Sequence, residues 1–291
     1  MKFYRYWHRA YGEAEQPDGQ KLPFAIWRWS DTSRGEAERA ALEAADALAL
    51  RIRQGEPLPR GYTYGERPMR EQVLHAHTDR DGRVLYAVTR NSYGALVLNT
   101  AQAMFVDVDL EAFEPDYTWS QRLKRLWDRQ SVREARAEQA EAAAMERLEA
   151  WLLTRHAWGV RVYRTRAGLR YLVTHAPFEP DGREADEMMA DLNSDPKYRH
   201  LCRVQQCFRA RLTPKPWRCG SSRPPTAFPF ESEAEQAHLR DWVRAYDADR
   251  AGWAACRFLG HRGHAFVSDE LDPIVRLHDQ ETRALEDLPL A

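Results

Sequence analysis

Asp107 and Asp109 stand one residue apart in the run Phe105-Val106-Asp107-Val108-Asp109-Leu110. The run reads as a strand, and side chains alternate along a strand, so Val106, Val108 and Leu110 enter a core while Phe105, Asp107 and Asp109 share the other face. Two carboxylates held side by side repel unless arginines, a shared proton or a divalent cation neutralise them. Mg²⁺ and Mn²⁺ take oxygen ligands, commonly one or two carboxylates with substrate phosphates and water completing the shell, and an Asp-x-Asp strand end meets that demand. A second run, Cys207-Phe208-Arg209-Ala210-Arg211-Leu212, repeats the alternation with cations: Arg209 and Arg211 share one face, and Lys215 follows. If both strands face one cleft, guanidinium forks and an ammonium group meet a triphosphate whose oxygens a metal bridges, which is the arrangement of a phosphoryl-transfer site. Arg164, Arg166 and Arg170, around the turn at Gly168, are further candidates for phosphate or nucleic-acid backbone.

Turn and cap signals mark the elements that must position these groups. Residues 3–11 are aromatic and basic and read as an edge or first strand burying one aromatic face. Gln16-Pro17-Asp18-Gly19 then turns the chain into the β-formers of residues 24–30, which predicts a hairpin. Asp31, Thr32 or Ser33 caps a helix over 35–54, where Ala41, Ala44, Ala45, Leu48 and Ile52 recur at helical spacing, and Gly55 stops it. A Pro/Gly-rich connection occupies 56–61. Asp79-Arg80-Asp81-Gly82 joins strands near 73–77 and 83–89, and a further turn at 91–94 precedes residues 95–98. A long polar helical region spans 119–155, with Leu123, Leu126, Trp127, Met145, Leu148, Trp151 and Leu152 among mixed charges that read as a solvated face. Residues 160–165 and 169–175 form a hairpin around Arg166-Ala167-Gly168, and a helix follows over 183–193. Ser232 with Glu235 makes a capping box for a helix running to about residue 250. The tail past Leu271 reads as acidic and weakly structured. The fold class is α+β, an antiparallel or mixed sheet core with flanking helices, divided as an N-terminal β/α subdomain in 1–90 and a larger core with a C-terminal helical extension in 91–291, or built as one compact domain.

The chain of 291 residues is long enough to bury a substantial core, and 30% charged with 11% aromatic residues describes a globular protein with a charged surface. A net charge of -1 gives no global case for nucleic acid, so any such case rests on local clusters. No apolar run approaches the roughly 20 residues that cross a bilayer, and the start of the chain lacks a signal-peptide pattern, so a cytoplasmic location is expected. Cys202, Cys207, Cys219 and Cys256 are too sparse for a disulfide scaffold and too irregular for a zinc motif, although His200, His261 and His264 lie within the same third of the chain.

The order of these motifs resembles the catalytic core of the archaeo-eukaryotic primase superfamily, which includes primase-polymerases. The Asp107/Asp109 strand matches the family's metal-binding first motif. Thr165-Arg166-Ala167-Gly168-Leu169-Arg170 matches its second, a glycine-containing turn leading to a phosphate-binding histidine, whose place Arg170 takes here. Asp195, or alternatively Asp191, matches the third-motif aspartate, and Arg209, Arg211 and Lys215 match the basic strand that follows it. The resemblance covers roughly residues 95 to 220 and implies an RRM-like catalytic core. It also implies metal-dependent nucleotidyl transfer from nucleoside triphosphates on a single-stranded or primed nucleic acid. On that basis Asp107, Asp109 and Asp195 hold Mg²⁺ or Mn²⁺, while Arg170, Arg209, Arg211 and Lys215 bind the triphosphate. Two other readings stand beside it. One is a nucleic-acid-binding protein of similar fold without catalysis, with Trp217, Tyr198 and Tyr171 suited to base stacking. The other is an Asp-x-Asp nucleotide-sugar glycosyltransferase, against which stands the lack of an evident N-terminal β-α-β unit.

Overall fold

A computed structural model describes residues 1, 3–57, 68–110 and 129–291. The chain forms two compact units, Lys2–Arg70 and Glu71–Ala291, with Met1 grouped with the second. In the first unit, β1 (Tyr6–Glu15) and β2 (Lys21–Ser30) make the expected antiparallel hairpin, against which α1 (Arg34–Arg53) packs. Ser33 caps α1, its hydroxyl accepting from the Glu36 N–H at 3.2 Å. The surface that meets the helix is made of small groups: Ala10 on β1 closes on Ala41 and Ala45, with Phe24 and Ile26 beside them. The strand register pairs Trp7 with Trp29 and Arg9 with Trp27, and alternation places these on the opposite face of the ribbon. The aromatic face expected to be buried is therefore not the face that α1 covers.

The second unit contains β3 (Gln72–Thr78), β4 (Val84–Arg90), β5 (Leu96–Thr100), β6 (Phe105–Asp109), α2 (Arg129–Leu152), β7 (Gly159–Thr165) and β8 (Gly168–Val173). It continues with α3 (Arg183–Asp191), α4 (Pro196–Gln205), β9 (Phe208–Arg211), α5 (Glu233–Asp249), β10 (Cys256–Gly263) and α6 (Asp272–Thr282). The strands make two four-stranded sheets, in the orders β10-β7-β8-β6 and β3-β4-β5-β9. Every pairing within them is antiparallel, so the described residues contain no parallel β-α-β unit and the class is α+β with flanking helices.

Val106, Val108, Val160, Val162, Leu169 and Tyr171 are buried in one core with Leu148 and Trp151 of α2, and the Tyr171 hydroxyl donates to the Ala144 carbonyl at 3.2 Å. Each such side chain contributes roughly 1.5–3 kcal/mol through burial, so this face of β6 is fixed and the opposite face is left to present Asp107 and Asp109. Of the helix expected over 119–155, the described part runs from Arg129 to Leu152. Leu123, Leu126 and Trp127 lie outside the described residues, as does the 58–61 part of the Pro/Gly connection.

The tail past Leu271 is not weakly structured. Pro273 stands in the first turn of α6, where its missing N–H costs nothing, and Ile274, Val275, His278 and Thr282 are buried at helical spacing. No helix among the described residues is long and apolar enough to cross a membrane.

Candidate functional site

The register of β6 against β8 sets Asp107 opposite Arg170, and Asp109 opposite Gly168. Arg170 grips Asp107 with two nitrogens, Nε to Oδ1 at 2.8 Å and Nη2 to Oδ2 at 3.3 Å. The guanidinium side chain is 3% exposed and the carboxylate 35%. Burial works against the Arg170 charge, but the Asp107 carboxylate more than offsets it and holds the group above its ordinary value. Of the three neutralisers open to Asp107, the chain itself supplies an arginine. Asp109 is exposed at the end of the same strand face. Gly168 is required opposite it, because a Cβ there would lie 2.0 Å from the Val108 carbonyl oxygen.

Asp195 comes to Asp107 through its backbone. The Asp195 N–H and the Ser194 hydroxyl both donate to the Asp107 carbonyl, at 3.3 and 3.2 Å. The Asp195 carboxylate turns back to cap α4, accepting from the Lys197 N–H at 3.0 Å. Among the described residues no group of three or more His, Cys, Asp or Glu side chains is arranged to hold a metal ion. The carboxylates at this strand end are Asp107, whose two oxygens take Arg170, and the exposed Asp109. The four cysteines are free and buried.

The cationic strand lies beside this edge. Arg209 and Arg211 share one face of β9, as alternation predicts, but they have different surroundings. Arg209 reaches Glu71 Oε1 at 2.6 Å and Gln205 Oε1 at 3.0 Å, and Glu71 also accepts from the Thr89 hydroxyl at 2.6 Å. Its charge is used inside the protein. Arg211 is half-buried and, among the described residues, has no carboxylate or carbonyl partner for its side chain. Burial pulls its guanidinium below the ordinary value; Tyr93 and Asp107 work the other way, while Arg170 and Arg218 add to the decrease. Arg211 therefore lies within electrostatic range of Asp107, Arg170, Arg218 and Tyr93. The backbone ties the neighbourhood together: Arg170 Nη1 donates to the Arg211 carbonyl at 3.0 Å, and the Tyr198 hydroxyl sits 3.2 Å from Phe105 O and 3.0 Å from Arg209 O.

Lys215 lies 5.7 Å from the centre of the Trp217 ring, which is 47% exposed, T-stacked on Tyr93 at 5.6 Å and also flanked by Arg223. Tyr198 and Tyr171 are hydrogen-bonded within the fold rather than offered for stacking. Arg164 pairs with Glu141 at 3.1 Å, and Arg166 is exposed.

Behind Arg170 stands a buried polar chain that motif reading did not find. His278 of α6 lies 3.5 Å from Arg170 Nη1 through Nε2, and 3.3 Å from Asp279 Oδ1 through Nδ1. Asp279 accepts from the Tyr163 hydroxyl at 2.7 Å and makes a very short contact with Arg161, whose Nη1 is 3.1 Å from His261 Nε2. Burial pushes the His278 imidazole down to about 4, so the ring is neutral near pH 7. Nδ1–H then donates to Asp279, and Nε2 is left as acceptor toward Arg170. For Asp279, burial alone would raise the carboxyl, but hydrogen bonds from His278 and Tyr163 and the Arg161 charge hold it below its usual range. The signal available in the sequence was Asp272-Pro273 opening a helix on which His278 and Asp279 follow one another. Comparison of the chain with known protein families, curated proteins and solved structures returns no significant match, and the chemistry of the site rests on its own geometry.

Proposed function

We propose that the Glu71–Ala291 unit is a metal-dependent nucleotidyltransferase of primase-polymerase type, taking nucleoside triphosphates and acting on a nucleic-acid strand. The observation that carries this reading is Arg211: a half-buried guanidinium without a carboxylate partner among the described residues, within electrostatic reach of Asp107, Arg170 and Arg218. A desolvated, unpaired arginine costs free energy in the empty protein and is stabilised by an anion such as a phosphate. The placement of the motifs is supporting evidence. The Asp-x-Asp strand β6 and the hairpin strand β8 are antiparallel neighbours, and the residue in the histidine's place, Arg170, faces Asp107 directly.

In this reaction the terminal hydroxyl of the nucleic acid forms a bond to the α-phosphorus, the bond to pyrophosphate breaks, and the hydroxyl proton is lost to water. When bound, a divalent ion would be held by Asp107 and Asp109, and it supplies charge neutralisation at the phosphates. The chain's own groups do the rest. Arg211 and Arg218 receive the triphosphate charge, and Arg170, backed by His278, fixes the direction of the Asp107 carboxylate. Arg209 holds β9 in place through Glu71.

The test is incorporation of labelled nucleotide on a single-stranded template with Mn²⁺. Arg211→Ala is expected to lower kcat/KM roughly 100-fold, and Asp107→Ala with Asp109→Ala to abolish incorporation. A second reading is favoured by the Asp107 carboxylate being gripped at both oxygens: a protein of this fold that binds nucleic acid without catalysis. Template binding by the wild type with no incorporation and no triphosphate binding would establish that reading and sink the first.

A further inference from the structure

The Trp7–Tyr11 and Ala25–Trp29 face of the N-terminal hairpin takes no part in the site above. On this face the register stacks three successive rungs, Trp7 with Trp29, Arg9 with Trp27, and Tyr11 with Ala25. Their spacing is two residues of strand, about 6.8 Å. Trp7, Trp29 and Tyr4 form one aromatic group, with ring centres 5.5 to 6.4 Å apart. The Arg9 guanidinium lies over both Tyr11 (4.7 Å) and Trp27 (5.6 Å), and Arg70 covers Trp27 at 5.0 Å. Tyr11 is 61% exposed, and Arg9 and Arg70 are exposed. Residues 3–12 and 22–30 contain Arg5, Arg9 and Arg28 and not one carboxylate; the hairpin's acids, Glu13, Glu15 and Asp18, are confined to the turn end.

We propose that this ribbon face binds single-stranded nucleic acid, with phosphates on Arg9 and Arg70 and unpaired bases on Tyr11, Trp27 and the Trp7/Trp29 pair. The charge is complementary to a polyanion, and the rings select among polyanions. An acidic peptide offers no flat π surface to Trp27 or Tyr11, and a duplex keeps its bases stacked inside, whereas every base of a single strand has a free face. Arginine held over an aromatic ring is already oriented, so little side-chain freedom is lost when a phosphate arrives. The proposal stands apart from nucleotidyl transfer and is tested without metal ion or nucleotide.

The full chain is titrated into a fluorescein-labelled oligothymidylate of about 20 nucleotides, a duplex of the same length and labelled polyglutamate, with anisotropy as the readout. Wild type is expected to bind the single strand at least about 10-fold more tightly than the duplex or polyglutamate, and Tyr11→Ala and Trp27→Ala are each expected to lose about 10-fold. Arg9→Gln with Arg70→Gln should flatten the slope of log affinity against log salt by about 1.4, two phosphate contacts at about 0.7 each. Lys21→Ala, at the far end of the hairpin, should bind as wild type. Tyr11, Arg9 and Arg70 are exposed, and thermal denaturation identifies the variants that keep the fold, on which the comparison is made. Equal affinity for strand and duplex, tighter binding of polyglutamate, or unchanged affinity and salt slope in the Tyr11 and arginine variants would overturn the proposal.

Discussion

His278 makes a prediction whose size follows from the structure. In the unfolded chain the imidazole takes up a proton near its ordinary value of 6.5, whereas in the folded protein burial holds it neutral down to about 4. The unfolded state therefore binds more protons between these values. The stability contributed by His278 is complete above the upper value and is lost as pH falls toward the lower one. Linkage over that interval gives a loss of about 2.4 kcal/mol between about pH 7 and about pH 4.5 from this one residue. His175 and His261 are also pulled down by burial and add to the total, while Asp279 titrates below its ordinary 3.8 and acts at lower pH. The contribution of His278 is isolated by difference. Urea unfolding of wild type and His278→Gln, followed at a series of pH values, should show the wild type losing about 2.4 kcal/mol more than the variant over the interval. Parallel curves, or a wild type that gains stability on acidification, would refute the buried neutral imidazole and with it the assignment of Nε2 as acceptor toward Arg170.

Three further outcomes follow from the contrast among the arginines and from the β6–β8 contact. Glu71→Gln should cost roughly 3 kcal/mol in denaturant unfolding, because it strands the buried Arg209, whose pair with Glu71 is only 16% and 12% exposed. Arg211→Met should change stability by less than about 0.5 kcal/mol or raise it, since no pair is lost; the reverse order would contradict the roles given to the two residues. Gly168→Ala should destabilise by roughly 3 kcal/mol or more through the clash with the Val108 carbonyl, and a melting temperature equal to wild type would show that β6 and β8 are not so closely apposed.

What could be read from the sequence was what local chemistry dictates. Asp79 to Gly82 and Arg166 to Gly168 announce hairpins because few residues adopt those turns, and both hairpins are present. Strand alternation placed Asp107 with Asp109 and Arg209 with Arg211. Alternation cannot say what lies opposite, so the grip of Arg170 on Asp107 and of Glu71 on Arg209, partners 63 and 138 residues apart, was out of reach. Strand β10 was missed because Gly260, at φ 129°, sits in a register shift that breaks the alternating pattern. Helix α6 was missed because its buried face carries His278, Asp279 and Thr282, which a search for apolar periodicity counts as surface. The aromatic strand at the N-terminus was read for its composition, and only the register revealed that alanines, rather than tryptophans, meet the helix.

The Arg170 side chain spans two sheets: it holds a carboxylate on β6 and a backbone carbonyl on β9. A guanidinium is a rigid plane, so it transmits displacement as a strut does. A displacement of the Asp107 carboxylate would therefore strain or break the tie to the β9 backbone. A histidine at this position, shorter and with two nitrogens instead of three, could not make these three hydrogen bonds, so the exchange would untie β6 from the β9 backbone.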